Sequence, residues 1–96
     1  MKSIMQDLTD PRCYICGRRT ELELHHCIPG NPGRKHSDED GLVVWLCRYC
    51  HQGIHDSGLH YEAMKIAAQT AWMKHYNKGV TEWRQRYGKN YLEVDE

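Results

Sequence analysis

Two Cys-x-x-Cys pairs, Cys13/Cys16 and Cys47/Cys50, frame the part of this sequence that could do chemistry. Each pair offers two thiolates from one tight turn. Two such turns facing each other give the closed tetrahedral sulfur shell that structural zinc prefers. Four thiolates leave no open position, so a metal held there folds the chain rather than acting on a substrate. Cys27, the fifth cysteine, lies outside both pairs and reads as a small apolar side chain on a strand. Disulfides are the competing use of the cysteines. The first ten residues, MKSIMQDLTD, hold no apolar run of signal-peptide length, and no stretch is long enough to span a membrane. A reducing, cytoplasmic setting is therefore expected, where such pairs read as metal ligands.

The histidines form a second constellation. His51 and His55 stand at i and i+4 on a short helix, so they share one face and can grip one ion. His25 and His26 are consecutive on a strand and point to opposite sides. Both can serve one site only if the strand ends or bulges there, and Pro29-Gly30 lies just beyond. His36, His60 and His75 stand alone and read as structural or surface residues. A two-Cys, two-His finger using Cys47, Cys50, His55 and His60 is excluded, because four residues between Cys50 and His55 leave no room for a finger's helix.

The elements that must position these groups belong to one small chain of 96 residues without phenylalanine. A core of that size commonly needs a staple. Residues 13–17 read as a turn closed by Gly17, and 22–28, LELHHCI, as a strand. The Gly- and Pro-rich stretch 29–41, PGNPGRKHSDEDG, reads as a loop. Residues 42–46, LVVWL, read as a second strand, followed by CRYCHQGIH running into a short helix that Ser57-Gly58 ends. Residues 59–77 read as the longest helix, with a stripe of Leu59, Ala63, Ile66, Thr70 and Met73. Thr81 is expected to cap a final short helix ended by Gly88.

Thirteen basic and thirteen acidic residues balance, which argues against a uniformly basic nucleic-acid binder. The distribution is less even. Six basic residues and one acid lie between Lys65 and Lys89, and the last four residues, EVDE, carry three acids. A modest cationic face on the C-terminal half and an ordinary solvated helix face both fit this pattern.

Taken together, Cys-x2-Cys, LELHHCIPG, GRKHS, DGLVVWLC, LCRYCHQGIH and the terminal RYGKNYL resemble the HNH (ββα-metal, His-Me finger) endonucleases that carry a zinc ribbon. Colicin-type DNases show a similar His-His followed by His-x3-His. The run is more similar still to small phage-encoded HNH nucleases, such as those like the phage recombination enhancement function nuclease. The resemblance implies a small α+β fold, a zinc-stapled, treble-clef-like ββα-metal core at 13–58 with a C-terminal helical extension at 59–96, in a single domain. It implies a metal-dependent hydrolysis of DNA phosphodiester bonds. His26 takes the place of the general base, His25 and His55 the places of ligands to a catalytic Mg2+, Mn2+, Ni2+ or Zn2+ ion, and His51 that of a further ligand or a substrate-contacting residue. Cys13, Cys16, Cys47 and Cys50 then hold the structural Zn2+. Arg34, Lys35, Arg84 and Arg86 are the expected contacts to nucleic acid. A homodimer, or partners in phage recombination or packaging, would be compatible with so small a chain. Where the family has its middle Asn, near the start of the second strand, this chain has Gly41 and Leu42, and Asp40, Asp38 or Asn31 is left to replace it. The alternative function is a non-catalytic zinc module that binds nucleic acid or protein. It explains the four cysteines equally well but leaves the paired histidines without a use.

Overall fold

The computed structural model describes residues 2–30, 32–58 and 60–92. In chain order the elements are β1 (Leu22–His26), α1 (Gly33–Asp40), β2 (Val43–Cys47), α2 (Arg48–Ser57), α3 (Tyr61–Tyr76) and α4 (Val80–Tyr87). The class is the small α+β arrangement expected from the sequence, with a cysteine cluster that could hold zinc at the sheet's edge. Asn31, Leu59 and the terminal acids at 93–96 lie outside the described residues.

The two strands pair antiparallel, with Leu22 opposite Cys47 and His26 opposite Val43. The β-branched and aromatic run VVWLC is buried at every position but Trp45. An antiparallel strand is ordinarily buried on one face and wet on the other. Here the N-terminal segment covers the second face. Ser3 Oγ donates to the Val43 carbonyl at 2.6 Å, Trp45 N donates to Gln6 Oε1 at 2.8 Å, and Trp45 Nε1 donates to the Leu8 carbonyl at 3.1 Å. β2 runs directly into α2, whose N-cap is Cys47 itself, with Sγ accepting from Cys50 N. The helix therefore folds back beside β1, which sets its histidines next to those of the strand.

Residues 29–41 contain a helix where the sequence predicts a loop. The glycines and the second proline punctuate α1 instead of preventing it. Pro32 occupies the N-cap, and Gly41 closes the helix in the left-handed region at φ 80°. Gly33 is buried, and a Cβ there would come within 3.2 Å of Ile28 Cγ2. Ser37 is fully buried and meets the backbone of Ile28, accepting from its N–H at 3.2 Å and donating to its carbonyl at 3.3 Å. Tertiary contacts thus carry a helix whose polar sequence shows no apolar stripe.

α3 also turns a different face inward from the one expected. Its buried residues are Met64, Ala68, Gln69 and Trp72, while Ala63, Ile66 and Thr70 are exposed and Met73 is half-buried. Trp72 decides the orientation, because a large aromatic ring offers more area to bury than the aliphatics of the alternative stripe. It meets Trp83 of α4 edge-on at 5.4 Å between centroids, and Trp83 stacks on Tyr87 at 4.1 Å. The cap of α4 is Gly79 rather than Thr81, with Gly79 N donating to Glu82 Oε1 at 2.9 Å. Gly88 ends it as expected. Gln69, fully buried, holds the segment after α4 by accepting from Tyr91 N at 2.7 Å and donating to Asn90 Oδ1 at 2.7 Å.

Asp40 ties α1 to both C-terminal helices. Its carboxylate accepts from Trp72 Nε1 at 2.8 Å, Tyr87 Oη at 2.7 Å and Arg86 Nη2 at 2.8 Å, with Arg86 Nε as a further donor. Truncating one partner of this half-buried network strands the others, which costs roughly 1–3 kcal/mol, and more where a charge is left unpaired. Asp40→Ala is accordingly expected to lower unfolding free energy by about 3 kcal/mol, read as a shift of the denaturant midpoint. A midpoint equal to the wild type would show that the network is slack.

Candidate active site and metal centre

The knuckle at 13–16 and the β2–α2 junction at 47–50 bring four sulfurs together. All four Sγ atoms lie within 4.8 Å of one another, and Cys16 Sγ stands 3.7 Å from Cys47 Sγ. The two turns are alike, Cys16 N donating to Cys13 Sγ at 3.4 Å and Cys50 N to Cys47 Sγ at 3.5 Å. Burial raises the Cys13 thiol, but backbone N–H groups of Cys16, Cys47 and Ile15 outweigh it and bring the pKa down to about 6. Burial and the neighbouring thiols push Cys50 the other way, well above the ordinary thiol range. One thiolate thus forms readily while Cys50 resists ionising, which is what a cation among them would resolve. The set fits a closed structural zinc site.

The histidines meet in a cleft of about 290 Å³ between β1, α1 and α2, lined by His25, His26, Arg34, His51 and His55, with Ile28 and Tyr61 among its walls. β1 ends at His26, and the chain turns at Pro29-Gly30, so two consecutive histidines line the same cleft. His25 is 4% exposed, and its Nε2 is buried without a hydrogen-bond partner among the described residues. Burial first, then the nearby His51, His55 and His26, lower its pKa to about 4. It is therefore neutral near pH 7, the form that binds metal.

His51 joins the other two. Its ring lies 5.2 Å from that of His25 and 4.8 Å from that of His55, between centroids. Glu23 Oε1 is 2.7 Å from His51 Nδ1. A carboxylate only accepts, so Nδ1 carries a proton, and the neutral ring then presents its lone pair at Nε2. That Nε2 is 3.3 Å from His55 Nε2, a contact met by a proton between them or by a cation shared by both. Three neighbouring imidazoles offer nitrogen donors of the kind transition ions take, but among the described residues only the four cysteines already stand close enough together to hold an ion.

His26 Nε2 lies 3.4 Å from Asp38 Oδ1, which directs the ring proton to Nε2 and leaves Nδ1 as the acceptor. Of the three acids and amides considered for the missing Asn, Asp38 is the one beside His26. Asp40 is committed to Trp72, Tyr87 and Arg86, and Asn31 lies outside the described residues.

The expected nucleic-acid contacts do not gather in one place. Arg34 lines the histidine cleft and Lys35 is exposed beside it on α1. Arg84 is exposed on α4, by a shallow surface with Thr81 and Gln85. Arg86 is already paired, with Asp40 and with Glu39 at 3.0 Å. Sequence reading missed Glu23 and Tyr61. Strand alternation carries a signal for Glu23, which sits two residues before His25 and so on the same face. Tyr61 carries none, since α3 had to be placed first.

Residues 13–57 match the family model described as HNH endonuclease. That span holds all four paired cysteines and all four cleft histidines. No curated protein and no solved structure matches the chain.

Proposed function

We propose that this chain is a metal-dependent HNH endonuclease that hydrolyses phosphodiester bonds of DNA. The observation that carries the reading is the gathering of His25, His26, His51, His55 and Arg34 in one cleft, with the His25 Nε2 buried and unpartnered. A phosphodiester resists attack because its oxygens are negative and its leaving group is a poor alkoxide. His25, His51 and His55 would hold a divalent ion, which supplies charge stabilisation at the scissile phosphate and at the departing 3′-oxygen. His26 takes the proton from the attacking water at Nδ1, while Asp38 steadies the imidazolium from the Nε2 side. The water oxygen bonds to phosphorus as the P–O3′ bond breaks, and the 3′-oxygen leaves as a hydroxyl after protonation by solvent. Arg34 neutralises a non-bridging oxygen at the cleft wall, and Glu23 holds His51 in the tautomer that faces inward.

The test is incubation of zinc-loaded protein with supercoiled plasmid and Mg2+, Mn2+, Ni2+ or Zn2+, with and without chelator. Nicked or linear products that need the added ion are expected. Intact plasmid under every ion, with one metal bound per chain at saturation, would replace the nuclease by the non-catalytic zinc module. Substrate contact is expected to be electrostatic at α1. Arg34→Glu with Lys35→Glu should weaken DNA binding and flatten the dependence of log affinity on log salt by about 2. An unchanged slope would place the contact on another face, with the exposed Arg84 the next to reverse.

The described residues include no helix long and apolar enough to cross a membrane.

A further inference from the structure

The knuckle around the four cysteines carries charges that the metal does not use. Four arginines lie there, and they divide into two classes. Arg12 and Arg19 both pair with Asp10, at 2.8 and 2.9 Å. Arg18 and Arg48 have no carboxylate within ion-pair distance among the described residues, and both are exposed. The Arg18 guanidinium instead lies over the ring of Tyr49, 4.7 Å from its centroid. Tyr49 is 59% exposed, more than Tyr14, Ile66 or Tyr76. A large aromatic ring that wet, topped by a free guanidinium, is poorly explained as packing.

The backbones beneath these side chains are fixed. Cys13 N donates to the Arg18 carbonyl at 2.7 Å, and Arg48 N donates to the Glu21 carbonyl at 2.8 Å. Arg48 also has a particular relation to the cleft. Arg48, His51 and His55 stand at i, i+3 and i+7 on α2, so they share one helix face. From Arg48 to His55 is about 10 Å along the axis, at a rise of ~1.5 Å per residue. A strand with one phosphate at the histidines would carry its neighbouring phosphates toward Arg48.

We infer that Arg48, Arg18 and Tyr49 form a second nucleic-acid contact, in which the zinc knuckle grips the phosphate backbone of the substrate strand beside the scissile bond. This rests on the nuclease reading. Planar, weakly hydrated guanidinium groups suit phosphate, and an aromatic ring beside them suits a sugar or an unstacked base. The strand then runs from Arg34 and Lys35 on α1, across the histidines, to the knuckle. A chain of zero formal net charge can bind a polyanion in this way, because Arg34, Lys35, Arg18 and Arg48, unpaired among the described residues, lie on the substrate's path, while Arg86 is held by Asp40 and Glu39 and Asp10 offsets part of the charge of Arg12 and Arg19.

The test uses zinc-loaded His26→Ala protein, so that substrate is not consumed, and a fluorescent DNA duplex read by anisotropy at several salt concentrations. Arg18→Ala with Arg48→Ala should weaken binding roughly tenfold to sixtyfold at 0.1 M salt and reduce the salt slope by about 2, at ~0.9 counterion per lost contact. Tyr49→Ala should weaken binding with little change of slope. Arg12→Ala, on the same knuckle but paired with the Asp10 it shares with Arg19, should cost clearly less affinity and less slope than the double variant. Zinc content and melting temperature certify that each variant is folded. Wild-type affinity and slope in the folded double variant would overturn this inference and leave the nuclease reading standing, as would an equal loss in Arg12→Ala. A parent protein that neither binds DNA nor cuts it as His26 would overturn both.

Discussion

Replacing Cys16 or Cys50 by serine is expected to leave the chain largely unfolded. The core of a 96-residue protein is small, and its net stability should lie within the usual ~5–15 kcal/mol. Structural zinc in four-ligand peptides binds with ~10–16 kcal/mol at pH 7, and in such sites binding energy is folding energy. The position of the site makes the coupling direct. Cys13 and Cys47 are 2% and 1% exposed and belong to the main core with Leu46 and Ile54. The metal would therefore close the knuckle onto the point where β2 becomes α2, and α2 carries His51 and His55. Far-ultraviolet circular dichroism, a thermal melt and zinc content by mass spectrometry read the result together. A metal-free Cys50→Ser protein with a cooperative, native-like melt would show that hydrophobic burial alone suffices. The same logic predicts which function survives partial damage. A variant that retains zinc but loses activity has a fault in the histidine cleft or in a substrate contact, whereas one that loses zinc has lost the cleft as well.

The strands, the knuckle and the helix after the second cysteine pair were legible because their signals are local. VVWLC is β-branched and aromatic, the Cys-x-x-Cys turns have fixed chemistry, and Gly58 is a left-handed helix cap. α1 was not legible, because nothing in GRKHSDED has helical periodicity. What stabilises it is the contact of Ser37 and Gly33 with Ile28 and the grip of Arg86, Trp72 and Tyr87 on Asp40, which reach across as many as 47 residues of sequence. The face of α3 was misread for a related reason. Apolar spacing admits two stripes on this helix, and only the presence of Trp83 opposite Trp72 selects between them. In the candidate site, residue types and spacing singled out the four histidines, whereas their partners came from elsewhere. Asp38 reaches His26 from α1, an element the sequence hid, and Glu23 reaches His51 across the strand–helix junction. Arg86 shows the converse, since a basic residue on a short terminal helix looks free in the sequence until Glu39 and Asp40 are placed beside it.

His26→Ala and His55→Ala should fail in different ways, and the difference tests the assignment of roles more sharply than either loss alone. His26 touches Asp38, and its side chain is only 17% exposed, but no ligand role is assigned to it. Its removal should leave both metals and DNA binding in place. Cleavage should slow by about 10²–10⁴-fold, the usual contribution of a positioned general base. His55 is exposed near the end of α2, so truncating it leaves Ile54 and the core undisturbed. The two proposed metal sites share no ligand. His55→Ala should therefore keep the four-cysteine zinc and the wild-type melt while weakening the second ion severely, as titration calorimetry with Ni2+ or Zn2+ can measure. Activity should then recover in part at high metal concentration for His55→Ala, but at no metal concentration for His26→Ala, because added ion cannot supply a proton acceptor. Cleavage by His26→Ala at the wild-type rate would remove the proposed base. Equal second-metal affinity in His55→Ala and wild type would instead remove His55 from the ligand set, leaving His25 and His51 with water to complete the shell, a donor set more compatible with Mg2+.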